Sequence, residues 1–391
     1  MLRRIITVLL IACCLQSCRD DSAFYVLPDS GSTGGATGGT EPTTDFSNIA
    51  LKTHVPKEIS DGAGGTLTVV FRGYDMGNSD ASIVYELSAS DSTYHLYRPD
   101  AAGPVELDSG TDLYSITVAG GGSKVLSHNG ARDVIDYAAA TTQAIGTVLG
   151  FKFPYTITDS GDLVAFNSRD DLTGDNVDGY NQIFTLSTDG SEIYNQITSF
   201  AADNIIENVH ISGNGSKIFF TSSADVLADG SNVDGSDEIF SIDSSGAGLS
   251  QHTALDTGNV RELIVSSNGQ VVATVITNYN GISTEALYAL NSTTDVLSLV
   301  SDLQSAANGH DLSADGNKIV YTMQNVSTRD MMLVNSDGTA PVSVFTGTTS
   351  SFNSLSINTT GSQITFFSGF DFGKGVPAEE SVTQVYTLTV N

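Results

Sequence analysis

Residues 157–191 read ITDSGDLVAFNSRDDLTGDNVDGYNQIFTLSTDGS, and residues 211–247 read ISGNGSKIFFTSSADVLADGSNVDGSDEIFSIDSSGA. Both run from an apolar residue and Ser or Thr to a glycine three places on. An alternating stretch, an acidic loop ending Asn-Val-Asp-Gly, an Ile-Phe stretch and a tight glycine turn then follow in order. The anchor glycines, Gly161 and Gly215, lie about 54 residues apart, and self-similarity at such a period marks a repeat architecture. Apolar residues alternate with polar ones inside each stretch, which is the period of a strand.

Further copies appear on both sides. Val265–Gly269, Leu312–Gly316 and Ile357–Gly361 repeat the opening clearly, Val118–Gly122 more weakly, and Ile59–Gly64 with one extra residue. Each precedes an alternating run such as Lys318–Tyr321, then a second apolar run such as Ala286–Leu290. Anchor glycines recur at roughly 39 to 58 residues, with Asp-Gly, Asn-Gly and Gly-Gly turns between short strands. Four period-2 strands per unit are the signature of propeller blades. The expected fold is therefore all-β, a single propeller of four-stranded antiparallel blades. The count is seven, or six if residues 58–105 or 115–148 are degenerate. The last unit supplies only three strands before the chain ends. An unfilled blade would leave an open strand edge, so Ile49–Val55 is expected to complete it.

The units resemble the TolB-type, WD40-like propeller repeat, with Leu312-Ser313-Ala314-Asp315-Gly316 followed by Lys318–Tyr321 as the nearest match. The acidic loops resemble the Asp- and Asn-rich insert of many such repeats. The resemblance covers residues 58–391 and implies a fold rather than an activity. TolB proteins carry an α/β domain ahead of the propeller that nothing in this sequence matches. Their pairing with a peptidoglycan-associated lipoprotein is accordingly not carried over.

Composition narrows the function classes. Lys and Arg number 16 against 45 Asp and Glu, a net charge of −29. No basic patch offsets that charge, which excludes nucleic acid as a partner. Residues 1–17 have Arg3 and Arg4 before an apolar run from Ile5 to Leu15, too short to span a bilayer and shaped like a secretory leader. Leu15-Gln16-Ser17-Cys18 resembles a bacterial lipobox, which would make Cys18 the lipidated first residue. Arg19 in place of Asp implies the outer membrane, on its periplasmic or its surface side. With Cys13 and Cys14 removed, one thiol is left, so no disulfide framework exists. Residues 18–47 then hold the lipidated Cys and a Gly/Ser/Thr linker, whose central ~17 residues reach ~20–25 Å. The propeller is assigned to residues 48–391.

Tight turns such as Ser313–Asn317 and long loops at Ser168–Tyr180, Ser222–Ser236, Asn278–Thr284 and Phe370–Thr383 would lie on opposite faces. Long loops on a rigid scaffold carry binding. The first site candidate is the pair of acidic loops, with Asp175, Asn176, Asp178 and Asn181 in one and Asp229, Asn232, Asp234 and Asp237 in the other. Such hard oxygens suit calcium, although no Glu closes either loop as in an EF-hand. The competing and weightier reading is that Asp, Asn and Gly shape the loop through bonds to its own backbone. His210, Arg261 and His310 begin inner strands and are candidates for the channel mouth. No Gly-x-Ser-x-Gly elbow occurs and no zinc-type His spacing. The reading reached is a monomeric, lipid-anchored, non-enzymatic envelope propeller binding a protein or peptide, its only membrane contact being the lipid. It needs no certain cofactor. The alternatives are a glycan- or peptide-processing hydrolase or lyase, and a calcium-stabilised adhesion module.

Overall fold

The computed structural model describes residues 47–391 apart from 61–63, 80–81, 101–103, 112–114, 129–131, 137–140, 145–155, 280–281, 303–308, 326, 349–351, 375, 377–382 and 391. The leader, Cys18 and the linker lie outside the described residues. Those described belong to the unit Thr44–Asn391 and form seven antiparallel sheets without a helix. From inner to outer strand, blade 3 is Thr156–Ile157, Leu163–Ser168, Gln182–Ser187 and Tyr194–Gln196. Blade 4 is Glu207–Ile211, Lys217–Ser222, Glu238–Asp243 and Ser250–Gln251. Blades 2, 5 and 6 repeat the order from inner strands Ser115–Val118, Asn259–Val265 and His310–Leu312.

The opening of each repeat forms the turn between the first two strands. In blade 6 the Ser313 hydroxyl accepts the Lys318 amide at 2.9 Å, and the Gly316 amide bonds Ser313 O at 2.7 Å. Gly316 sits at φ 77°, where a side chain would be strained. Thr158, Ser212, Ser266 and Asn358 cap their turns in the same way. Blade 2 has Ala119 there and lacks the cap, which is the physical content of its weak sequence match.

Successive turns are tied backbone to backbone around the axis. Asn78 N donates to Gly120 O, Gly121 N to Asp159 O, Asp159 N to Gly213 O, and Asn214 N to Ser267 O. Ser267 N donates to Ala314 O, Asp315 N to Thr359 O, and Thr359 N back to Asn78 O. The circle is complete, with a bond across every blade boundary. It also corrects one expectation. In blade 1 the ring passes through Asn78, between Thr66–Met76 and Ile83–Ala89, and not through Ile59–Gly64. Glu58–Ser60 is an extra strand, paired antiparallel with the start of the inner one.

Apolar residues face the neighbouring blade, and among the described residues the core is seven clusters, each shared by two adjacent blades. Ala165 and Ile183 of blade 3, for example, pack on Val209, Phe220 and Phe240 of blade 4.

Blade 7 takes Asn353–Ile357, Gln363–Ser368 and Gln384–Thr389 from the C-terminal part of the chain and its outer strand from Ile49–Leu51. Ile49 pairs with Leu388 and Leu51 with Tyr386, so the expected closure is present. Beyond the strand, Gln384 Oε1 accepts the Thr53 hydroxyl at 3.0 Å and the Val55 amide at 2.9 Å, and its Nε2 donates to Val55 O at 3.3 Å.

The same clamp recurs where no closure is needed. Gln182 accepts from Thr198 and from the Phe200 amide and donates to Phe200 O. In blade 4 the position is Glu238, which accepts from Thr253 and the Leu255 amide, while the Ser236 hydroxyl takes over Leu255 O. Burial raises the Glu238 carboxyl above its ordinary range, against the hydrogen bonds that favour its anion. Stability from this group is therefore full below the unfolded carboxylate value and is lost as pH rises through the raised one. Glu238→Gln restores the amide used at 182 and 384. We expect it to flatten the fall in stability as pH rises above the ordinary carboxylate range and to add about 1 kcal/mol at the alkaline end of that fall, measured by denaturant melts at several pH values.

Candidate functional site

Loops between second and third strands share one face with the blade-to-blade crossovers. The loops after Ser168, Ser222 and Ser368 are built alike. Each serine hydroxyl accepts the amide two residues on. Asp171, Asp225 and Asp371 each accept an amide five residues on, from Asn176, Gly230 and Val376. Val226 and Phe372 turn into the core behind them. Asn278–Thr284, expected as a long loop, is a continuation of the hairpin, since strands Val271–Tyr279 and Ile282–Asn291 run nearly to its tip.

The candidate oxygen ligands fall into two sets. Asn176 is buried, and its amide donates to the carbonyls of Arg169, Asp170 and Tyr180. Asn232 is buried likewise and donates to those of Ser222, Ala224 and Ser236. Asn181 bonds Ile206 O in the crossover to blade 4. Asp237 is raised by burial and by Glu207, and takes a backbone bond from Val260 in the inner strand of blade 5. Asp175 and Asp178 are exposed, as are Asp229 and Asp234, and the last two accept the backbone amides of Ser231 and Ser236. The hydrogen bonds to serine hold both of these carboxyls below the usual range. Among the described residues no three His, Cys, Asp or Glu side chains gather as a metal cluster.

Val177 and Val233, at the tips of the two loops, are 78% and 83% exposed. They hold matching positions on neighbouring blades, and Ile205 of the crossover between those blades is exposed as well. Arg169, at the start of the blade 3 loop, is paired with Asp203 of the crossover at 2.8 Å.

The three channel candidates lie on inner strands at different depths. Arg261 is exposed, His210 is half-buried, and His310 is buried with Nε2 2.6 Å from Glu262 across the boundary between blades 5 and 6. Two carboxylates of the inner strands escaped sequence reading. Asp75 Oδ2 accepts the Val118 amide of blade 2, and Asp311 accepts the Ile357 amide of blade 7 and that of Leu312, all at 2.8 Å. Burial lifts Asp311 to about 7, Asp75 pushes the same way, and the two amides and His310 oppose. Both acids brace neighbouring blades. Their signal in the sequence is an acid inside an otherwise apolar inner strand, at Tyr74-Asp75-Met76 and His310-Asp311-Leu312.

One arrangement has the geometry of a charge relay. Ser241 Oγ lies 2.7 Å from His252 Nε2, and His252 Nδ1 lies 2.6 Å from Asp295 Oδ1. Ser241 is 2% exposed in the third strand of blade 4, and the Phe219 ring lies against His252. A nucleophile must meet its substrate, and this serine is sealed. The relay ties blade 4 to blade 5.

No protein-family model matches the chain, and no curated protein matches its sequence. Solved structures do match. An oligogalacturonate lyase in complex with manganese superposes with a TM-score of 0.57 at 12% identity, over 87% of this chain and 97% of that one. The β-propeller domain of Myceliophteria thermophila Cps50 (Swd1) gives 0.52 at 10% identity, over 83% and 100%. The fold is a seven-bladed β-propeller. TolB from Acinetobacter baumannii matches at 0.44 and 14% identity over 69% of this chain, which spans only 61% of that protein's length. At these identities the likeness is one of architecture, and the propeller's function rests on its own side chains.

Proposed function

We propose that the chain is a lipid-anchored propeller of the bacterial cell envelope that holds a protein or peptide partner on its loop face and performs no catalysis. Cys18 and the linker of residues 18–47 supply the anchor and the stand-off from the membrane. The observation that carries the binding role is the pair of exposed valines, Val177 and Val233, on loops stiffened by buried asparagines. A soluble surface rarely holds large apolar side chains this far out on ordered loops without a use for them, and anchors at an interface core have this character. Acidic residues surround both tips, so the fitting partner presents apolar side chains beside basic ones.

Replacing both valines, Val177→Asp with Val233→Asp, tests this. The wild-type domain is expected to retain one stoichiometric partner from envelope extract. The double variant should bind it at least ten-fold more weakly, about 1.4 kcal/mol, at an unchanged melting temperature. Capture unaffected by the substitutions, or turnover of glycan or peptide with no partner retained, would defeat the proposal.

A further inference from the structure

The two acidic loops differ in a way their shared Asn-Val-Asp-Gly conceals. From the capping serine to the clamp residue, Ser168 to Gln182 and Ser222 to Glu238, the blade 4 loop is longer by two residues. In blade 3 the Asp171 carboxylate grips the amide of Asn176 itself at 2.9 Å. In blade 4 Asp225 grips the residue at the same spacing, which is now Gly230, at 2.8 Å. Asn232 thereby escapes the aspartate, while its side-chain nitrogen keeps its hold on the loop base, 3.3 Å from Ala224 O and 3.1 Å from Ser236 O.

The longer loop leaves two buried acceptors with no donor, Asp225 Oδ1 and Asn232 Oδ1. Asn232 is 4% exposed, and its side-chain nitrogen bonds the carbonyl of Ala224, the residue before Asp225, so both orphaned oxygens belong to the base of one loop. Nitrogen and oxygen are fixed in that amide, because three carbonyls require the nitrogen on their side. Two inward acceptors without a hydrogen to share lack what a cation supplies.

We infer that the blade 4 loop is a binding site for a single calcium ion, held by Asp225 Oδ1 and Asn232 Oδ1 with loop carbonyls and water completing its shell. One carboxylate and one neutral amide make a weak site, of the class that fills at the ~0.1–1 mM calcium typical of extracellular modules. Magnesium demands a tighter octahedron and dehydrates less readily, so it is the poorer fit. Blade 3 does not offer the same pair, since Asp171 is exposed and neither it nor Asn176 carries a buried oxygen without a donor. The site does not depend on the binding role proposed above.

The test uses the full chain after chelation. Calcium titrated by calorimetry should bind at one ion per chain, and the melting temperature should rise to a plateau that equal magnesium does not reproduce. Asp225→Asn should raise the half-saturating calcium at least ten-fold, while the matched Asp171→Asn leaves it unchanged. Absence of heat from the native chain overturns the site, whatever the folding of the variants. So does an equal response to magnesium, which would mark screening of the acidic surface. Calcium affinity unchanged in Asp225→Asn overturns it as well.

Discussion

Gln384→Ala is expected to destabilise the propeller by about 3–5 kcal/mol and to loosen the N-terminal strand before the rest of the chain unfolds. The side chain is fully buried and serves the Thr53 hydroxyl, the Val55 amide and the Val55 carbonyl at once. Truncation leaves those groups without partners, and each buried orphan costs about 1–3 kcal/mol, reduced where water can enter. Thr53 Oγ1 also accepts the Val385 amide at 2.8 Å, so both sides of the seam weaken together. Gln182→Ala removes the same clamp within a continuous stretch of chain and serves as the control. Denaturant melts give the free energies. Hydrogen exchange separates the two variants, because only at 384 does the clamp hold a strand from the other end of the chain. Exchange at Ile49–Leu51 that stays as slow as in wild type would contradict this role.

Phe366→Ala should cost about 3–5 kcal/mol, the range for deleting a large buried aromatic ring that its surroundings cannot replace. Phe366 is 0% exposed at the centre of the cluster joining blades 6 and 7. Its ring centroid lies 6.4 Å from Phe345, 6.0 Å from Phe352, 5.8 Å from Phe372 and 5.9 Å from Tyr386. Four rings against one side chain leave a cavity that collapse from any single direction cannot fill. Thermal or denaturant unfolding reads the loss directly, and Phe366→Leu, which keeps much of the volume, should recover over half of it. A loss below about 1.5 kcal/mol for the alanine variant would show that the cluster repacks freely.

Much of the fold was written locally. A residue such as Ser313 marks the turn because its hydroxyl caps the amide five places on, and Gly316 marks it because the turn needs a left-handed residue. Both demands act within a few residues, so they recur as a readable motif. The continuous apolar run Ile319-Val320-Tyr321 reports a strand with a neighbour on either face, which is how a blade is packed. Where the local devices are missing the reading slipped. The stretch around Asn78, where the ring passes through blade 1, has no capping Ser and Gly in the expected order, and Ile59–Gly64 imitates the motif at a different place.

The candidate site was legible in position and less so in role. The acidic loops at 168–182 and 222–238 lie on the face expected of them. Yet Asn176 and Asn232 turn inward to hold carbonyls, as the turn-shaping reading expected, and Asp225, which no spacing rule had singled out, carries a buried oxygen without a donor, as Asn232 does. Asp75 and Asp311 were invisible because each acts on an amide of the next blade, 43 and 46 positions along the chain.

By itself the sequence determined the repeat, the strand and turn chemistry, the acidic surface and the strand Ile49–Leu51 that the last blade lacked. Those follow from short-range periodicity, from composition and from counting strands against an edge that must be covered. Only the tertiary structure decided which stretch of blade 1 joins the ring. It also showed that Ser241 is sealed beneath its own relay, and that two extra residues in blade 4 separate an aspartate from an asparagine paired in blade 3. Each of these turns on which groups meet across blades or across a loop, and burial and hydrogen-bond satisfaction are properties of that meeting rather than of any one stretch of chain.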